Sequence, residues 1–196
     1  MNQNLEIEFK NLLNKEEYDK IYQSEFSDNK QQKITQTNHY FDTKNQDLKK
    51  IKSALRIRKT NTFKELTLKS PSQGFLLETN VSLSNNEYSE ILKSKQIKLS
   101  SYISDLNITD ISEDSIFYLF NAFKTVRYEK QVGDHLIVLD QTTFQNGEVD
   151  YELEVESTDA ETGKDFFKNF LDKNDIPLRP ASPKIARAQE NRATGF

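Results

Sequence analysis

The chain has 196 residues, 35% of them hydrophobic and 11% aromatic, enough for a genuine core in one uninterrupted domain, 1–196, and unlike disorder, collagen or a disulfide-stapled miniprotein. Lys and Arg number 27 against 31 Asp and Glu, so a net charge of −4 gives no global basic field for nonspecific nucleic-acid or membrane binding. Any attraction to phosphate must be local. There is no Cys, and the 2 His, at 39 and 135, are too few for a His-rich metal site. Neither a basic leader with an apolar run nor a stretch of about eighteen apolar residues occurs, so a soluble cytoplasmic protein without membrane or nucleic-acid partners is expected.

Apolar and polar residues alternate at period two through most of the chain, which predicts strands with two chemically different faces. Leu5–Leu13 opens as a strand. Asn14 and Glu17 have the spacing of a capping box for a helix over about 15–24. Thr35–Thr43 is the next strand. Leu55–Thr60, Phe63–Lys69 and Phe75–Leu83 read as sequential hairpins, punctuated by Asn61, Ser70-Pro71 and Gly74. Ser84 and Glu87 cap a helix over about 85–95, and the looser Ile97–Ala122 stretch is expected to hold a helix around Ser112–Phe120. Strands follow near Phe123–Lys130, His135–Thr142 and Glu148–Glu156, with turns at Gly133-Asp134 and Asn146-Gly147. Thr158 and Glu161 start a helix to about Lys173, and Pro177, Pro180 and Pro183 lead to a short helix at Lys184–Glu190. About eight strands in one domain predict an antiparallel sheet that curls or closes.

The polar faces carry the chemistry. Period two places Glu6, Glu8 and Lys10 on one face of the first strand, Arg56 and Arg58 together on another, and Lys69 opposite the leucines of its strand. Glu152, Glu154 and Glu156 stack along one side of the last strand, while Glu78, Arg127 and Asp140 are embedded in strand-like sequence. An open sheet with one wet face would also alternate. Runs of like charge disfavour that arrangement unless opposite charges or ions lie between them. If the first and last strands are neighbours, their carboxylates make an oxygen-only cluster suited to Mg²⁺ or Mn²⁺, and Arg and Lys from other strands suit phosphate oxygens. Closing the sheet satisfies both: an α+β fold, a closed antiparallel eight-stranded β-barrel with a polar lumen and helices packed outside. Walker and dinucleotide fingerprints are absent, and His39 and His135 read as structural residues of strands.

These residues carry a resemblance. Glu6-Ile7-Glu8-Phe9-Lys10 reproduces an ExExK signature, weak alone. It is followed in order by Asn38-His39-Tyr40-Phe41-Asp42-Thr43, Ala54-Leu55-Arg56-Ile57-Arg58, Glu65-Leu66-Thr67-Leu68-Lys69, Thr125-Val126-Arg127, Val138-Leu139-Asp140, Asp150-Tyr151-Glu152-Leu153-Glu154 and Ser182-Pro183-Lys184-Ile185-Ala186-Arg187. Over nearly its whole length the chain resembles the CYTH superfamily, the triphosphate tunnel metalloenzymes, and most closely its small single-domain bacterial branch. Pro183 between Ser182 and Lys184 is a local departure.

The resemblance implies an eight-stranded tunnel that binds a triphosphate with a divalent metal. It implies Glu6, Glu8, Glu152, Glu154 and Glu156 as metal ligands. Lys10, Arg56, Arg58, Lys69 and Arg127 would be phosphate contacts, and Lys184 and Arg187 would belong to a basic terminal helix at the tunnel mouth. Glu78 and Asp140 would orient those cations or a water at the metal, and with Glu6, Glu8 and Lys10 they form the expected catalytic set. The expected activity is metal-dependent hydrolysis of a small-molecule triphosphate, foremost inorganic tripolyphosphate. Thiamine or nucleoside triphosphatase, class IV adenylate cyclase and a noncatalytic polyphosphate sensor stand as alternatives, and a homodimer is compatible with all of them.

Overall fold

The computed structural model describes residues 2–28, 33–72, 74–103, 111–112 and 114–193. In chain order it runs β1 (Asn2–Leu13), α1 (Lys15–Ile21) continued by a π-helical turn (Tyr22–Phe26), β2 (Ile34–Asp42), α2 (Asp47–Lys50), β3 (Ala54–Lys59), β4 (Lys64–Ser72) and β5 (Phe75–Ser82). Then come α3 (Asn85–Ser94), β6 (Gln96–Lys98), a 3₁₀ turn (Leu99–Ser101), β7 (Ile116–Val132), β8 (His135–Thr143), β9 (Val149–Ser157), α4 (Ala160–Lys173) and α5 (Lys184–Ala193). Hydrogen bonds order the strands β2-β3-β4-β5-β1-β9-β8-β7-β6, and β2 also pairs with β7. The ladder therefore closes over eight strands, with β6 outside the ring, and the expected antiparallel barrel is the fold observed.

Local chemistry explains most boundaries. The Asn14 side chain accepts from the Glu17 amide at 2.8 Å while the Glu17 carboxylate accepts from the Asn14 amide at 2.9 Å, a complete capping box. Ser84 and Glu87 repeat it at α3. At α4 the cap is Asp159 rather than Thr158: its carboxylate accepts from the Thr162 amide at 2.9 Å. The helix expected at Ser112–Phe120 is corrected to a strand, since β7 begins at Ile116. Ile116-Phe117-Tyr118-Leu119-Phe120 is short, apolar and aromatic, a run that periodicity alone cannot assign, and its β-prone side chains prevail. The looser stretch before it includes 104–110 and 113, which lie outside the described residues. The short α2 was not anticipated; Asp42 sets it by accepting from the amides of Leu48 and Lys49.

The chain divides into two compact units, Met1–Leu5 with Thr37–Ala122, and Glu6–Gln36 with Phe123–Phe196, whose boundaries fall inside β1, β2 and β7. In the first, Leu55, Ile57, Leu66 and Leu68 of β3 and β4 pack with Tyr88 and Ile91 of α3 and with Phe117. In the second, Ile137, Leu139, Leu153 and Val155 of β8 and β9 pack with Tyr18 and Ile21 of α1 and Phe167, Phe170 and Leu171 of α4. Each unit thus buries the apolar face of its strands under helices, which leaves the alternate, charged face turned the other way. Among the described residues no helix is long and apolar enough to cross a membrane.

Two residues test this packing. A Cβ on Gly163 would lie 2.6 Å from Ser157 Cβ and 2.9 Å from a ring carbon of Phe9, so α4 approaches β9 only because this residue has no side chain. Gly163→Ala should destabilise the fold by about 1–3 kcal/mol, read as a lowered denaturation midpoint with an unchanged m-value. Both His lie in strands, as expected, and each is hydrogen-bonded: His135 Nδ1 pairs with Ser157 Oγ at 3.1 Å and His39 Nε2 with the Tyr88 hydroxyl at 3.1 Å. Burial, with help from Lys59, lowers the His39 pKa. The unfolded state then takes up this proton first as pH falls, so its contribution to stability is full above the ordinary His range and lost through and below it. Denaturation of wild type and His39→Gln between pH 7.5 and pH 5 should show wild type losing stability relative to the variant.

Candidate functional site

In the second unit the strand register assembles the charged face directly. Lys10 lies opposite Glu154 and Glu8 opposite Glu156 in the β1–β9 ladder, while Asp140 lies opposite both Arg127 and Glu152. The carboxylate oxygens of Asp140, Glu152 and Glu154 come within 4.8 Å of one another, and all three residues are buried. Arg127 donates from Nε and Nη2 to the two oxygens of Asp140 at 2.8 and 2.7 Å, and from Nη2 to Glu154 at 2.7 Å. The Lys184 ammonium sits among the trio, 2.9 Å from Asp140 and 2.6 Å from Glu154, and in contact with Glu152. Lys10 bridges Glu8 at 2.8 Å and Glu154 at 3.5 Å.

Helix α5 brings Lys184 and Arg187 to the trio because the chain before it is sewn onto β1. The buried Asn11 side chain donates to the Pro177 carbonyl at 3.2 Å and accepts from the Arg179 amide, and the Leu12 amide donates to the Arg179 carbonyl at 2.9 Å. Arg179 adds a bidentate pair with Glu17 at 2.7 and 2.8 Å. Pro183 opens the helix, its carbonyl accepting from the amides of Ala186 and Arg187. Arg187 then reaches Asp150 at 2.7 Å and Glu152 at 2.5 Å. The departure at Pro183 therefore leaves Lys184 within the cluster.

The electrostatics follow from burial and from these contacts. Burial works to raise both Asp140 and Glu154; Arg127 and Lys184 reverse this for Asp140, and Lys184, Lys10 and Arg127 hold Glu154 well below the usual carboxylate range. Glu152 behaves differently. Although it touches Lys184 and Arg187, complete burial and its hydrogen bond with Glu154 raise it to about 7. One of this adjacent pair holds its charge and the other holds a proton more readily. Burial likewise raises Glu156 to about 7, with Glu154, Glu6 and Glu8 adding to it against Arg127, but Glu156 is 38% exposed and solvent screens it. Asp140, Glu154 and their neighbours in turn raise Lys184 and Arg127 despite their burial, so both stay cationic.

The first unit carries its own charged face. Arg56 and Arg58 of β3, Thr67 and Lys69 of β4, and Glu78 and Asn80 of β5 share it by register. Lys69 pairs with Glu78 at 2.6 Å, Arg58 donates to Asn38 at 3.1 Å, and Lys69 and Arg56 lower Glu78 against the effect of burial.

The structure thus gathers Lys10, Arg127, Asp140, Glu152, Glu154, Lys184 and Arg187 in one buried network, with Glu8 tied in through Lys10. Glu6 and Glu156 lie further along β1 and β9, where Glu6 is felt by Glu156 electrostatically. Asp140, expected to orient cations or a water at the metal as part of the catalytic set, lies in the carboxylate trio itself. Asp150 was missed as the anchor of Arg187, as were Asn38, Thr67 and Asn80 on the first unit's charged face. Extending the period-two count to Asn38, Thr67 and Asn80 would have found the last three. An oxygen-only set of three carboxylates already embracing an ammonium fits a hard divalent cation.

The CYTH domain family matches residues 4–188. A Bacillus subtilis (strain 168) protein named "Putative triphosphatase YjbK" is 39% identical over 198 residues, covering 98% of each chain. The crystal structure of a putative adenylate cyclase from Bacillus halodurans superposes with a TM-score of 0.81 at 31% identity, covering 95% of this chain and 98% of that one. A Hippeastrum protein, HpAC1, described as a putative adenylyl cyclase with a dominant triphosphatase activity, superposes with a TM-score of 0.76 at 25% identity over 95% of this chain and 96% of that one. The chain belongs to the CYTH domain family.

Proposed function

We propose that the protein is a metal-dependent triphosphatase that hydrolyses inorganic tripolyphosphate to pyrophosphate and phosphate with Mg²⁺ or Mn²⁺. The observation that carries this is the buried trio Asp140, Glu152 and Glu154 around the Lys184 ammonium, a cation site built of carboxylates alone. The names given to relatives support the triphosphatase part of this reading, "Putative triphosphatase YjbK" for one and a dominant triphosphatase activity for HpAC1.

In this reading Glu152 and Glu154 of the trio, with Glu8 and Glu156 paired in the β1–β9 ladder and Glu6 beyond it on β1, would hold the metal. A divalent cation held there would supply charge neutralisation at phosphate oxygens and a lowered pKa for a water beside it. Lys10, Arg127, Lys184 and Arg187 on the second unit's charged face donate to the nonreacting oxygens, and Arg56, Arg58 and Lys69 on the first unit's charged face have the chemistry for the same task. Asp140 keeps Arg127 in its fork geometry, and Glu78 does the same for Lys69. Water adds to a terminal phosphorus, one phosphoanhydride P–O bond breaks, and pyrophosphate leaves. No side-chain nucleophile is required. Lys184 has a double part: it must leave carboxylates that take the metal, and its freed ammonium is then available to phosphate.

Phosphate release should be fastest from tripolyphosphate in a panel with pyrophosphate, ATP and thiamine triphosphate, and chelation with EDTA should abolish it. Glu8→Gln should lower the rate about a hundredfold or more with little change in Tm. Cyclic AMP formation from ATP as the dominant reaction would make the protein a cyclase, and triphosphate-induced thermal stabilisation without phosphate release would make it a sensor. Lys184→Met should lower the Tm of the metal-free protein, because it strands buried carboxylates, and should bind Mn²⁺ about tenfold or more tightly, counted by the electron paramagnetic resonance of free Mn²⁺. Unchanged or weaker Mn²⁺ binding would place the metal away from the trio.

A further inference from the structure

The charged face of the first unit is satisfied unevenly. Arg56, Thr67 and Asn80 are direct partners across three consecutive strands, Arg56 opposite Thr67 and Thr67 opposite Asn80. On either side of that row the polar groups answer one another: Lys69 meets Glu78 at 2.6 Å, and Arg58 donates to Asn38 at 3.1 Å. Within the row three buried atoms, Arg56 Nε, Thr67 Oγ1 and Asn80 Oδ1, have no hydrogen-bond partner.

Comparison within the protein shows that this is not how its sheet ordinarily treats a buried hydroxyl. Thr125 and Thr142, also cross-strand partners and also fully buried, bond each other at 3.1 Å. Thr67 is equally buried, at 0% exposure, and its hydroxyl has no partner. Native structures keep such groups to a few per hundred residues because each forfeits its hydration without return. Three in one row on neighbouring strands is a concentration that asks for a ligand.

The chemistry of the three atoms describes that ligand. Arg56 Nε–H is a donor, the Thr67 hydroxyl donates or accepts, and Asn80 Oδ1 is an acceptor whose amide nitrogen already points to Glu78 at 3.5 Å. A group that fits presents oxygens to Arg56 and Thr67 and one O–H to Asn80. A phosphoryl group carrying one proton has these features together, and a terminal phosphoryl, with its second pKa near about 6, carries that proton for part of the time at neutral pH. A bridging phosphoryl has no such hydroxyl. The group enters among Arg56 and Lys69, which share the face and keep partial exposure. We propose that Thr67 and Asn80, with Arg56, form a positioning row that binds a terminal phosphoryl group of the triphosphate. This rests on the triphosphate reading above and adds residues to it.

Thr67→Val keeps the shape and removes the hydroxyl, Thr67→Ser keeps the hydroxyl, and Asn80→Leu removes the acceptor. Titration calorimetry with sodium tripolyphosphate in EDTA avoids turnover, and Tm without ligand reports the fold. Thr67→Val and Asn80→Leu should each bind tripolyphosphate about tenfold or more weakly while Tm is unchanged or raised, and Thr67→Ser should bind within about threefold of wild type. A purely structural row would instead lower Tm and leave affinity alone. Wild-type binding with undiminished affinity in both Thr67→Val and Asn80→Leu overturns the row and leaves the triphosphate reading standing. Failure of wild type to bind tripolyphosphate, with or without Mg²⁺, overturns the triphosphate reading and the row with it.

Discussion

Three carboxylates buried on adjacent strands are the constraint around which the second unit is organised. Two like charges about 4 Å apart repel by about 4 kcal/mol at an effective dielectric of about 20, before the loss of hydration is counted. Asp140, Glu152 and Glu154 lie at such separations, so the fold must supply cations that are themselves held in place. Arg127 does this from the neighbouring strand with a fixed fork, and Lys10 from the strand on the other side. Lys184 and Arg187 do it from a helix that follows the last strand. The partial proton affinity of Glu152 is the remainder that these cations leave uncancelled.

That requirement explains features otherwise without a reason. The segment from Pro177 to Arg179 leaves its one large apolar side chain, Leu178, exposed, yet Asn11, Leu12 and Glu17 tie it to β1 and α1 by backbone and side-chain hydrogen bonds. A loosely held segment could not keep an ammonium among three carboxylates. The two-faced strands serve the same end, since α1 and α4 take the apolar face of β8 and β9 and leave the other face to charge. Gly163 shows how closely that helical cover is applied.

Period two made the faces legible in the sequence: Glu6, Glu8 and Lys10, or Glu152, Glu154 and Glu156, can share a side of a strand only one way. Cap chemistry likewise made α1 and α3 legible, because Asn14 and Ser84 each have a Glu three residues on. Pairing between distant strands was not legible from spacing, since register depends on which strands become neighbours. Asp140 therefore read as one more embedded acid, and only its alignment opposite Glu152 makes it part of the trio. Ile116–Phe120 misled for a different reason: a short run that is apolar at nearly every position has no period to read, and pairing with β6 decides it. Asp150 escaped notice because its partner Arg187 is supplied by a helix 37 residues away.

The two units spend polar groups in opposite ways, and the contrast bears on function more than either network alone. In the second unit each charge of the buried network from Lys10 to Arg187 has a counter-charge, so binding there must exchange partners rather than add them. Lys184 cannot serve phosphate while it serves Glu152 and Glu154. In the first unit the row from Arg56 to Asn80 is left unanswered, so binding there can add hydrogen bonds without breaking any. Exchange of charge partners confers selectivity for a ligand that brings its own cation, because an anion alone would leave the carboxylates stranded. Addition at a prepared row confers affinity, because its groups have already lost their water on folding. A metal-complexed anion meets the first condition, and a phosphoryl group meets the second.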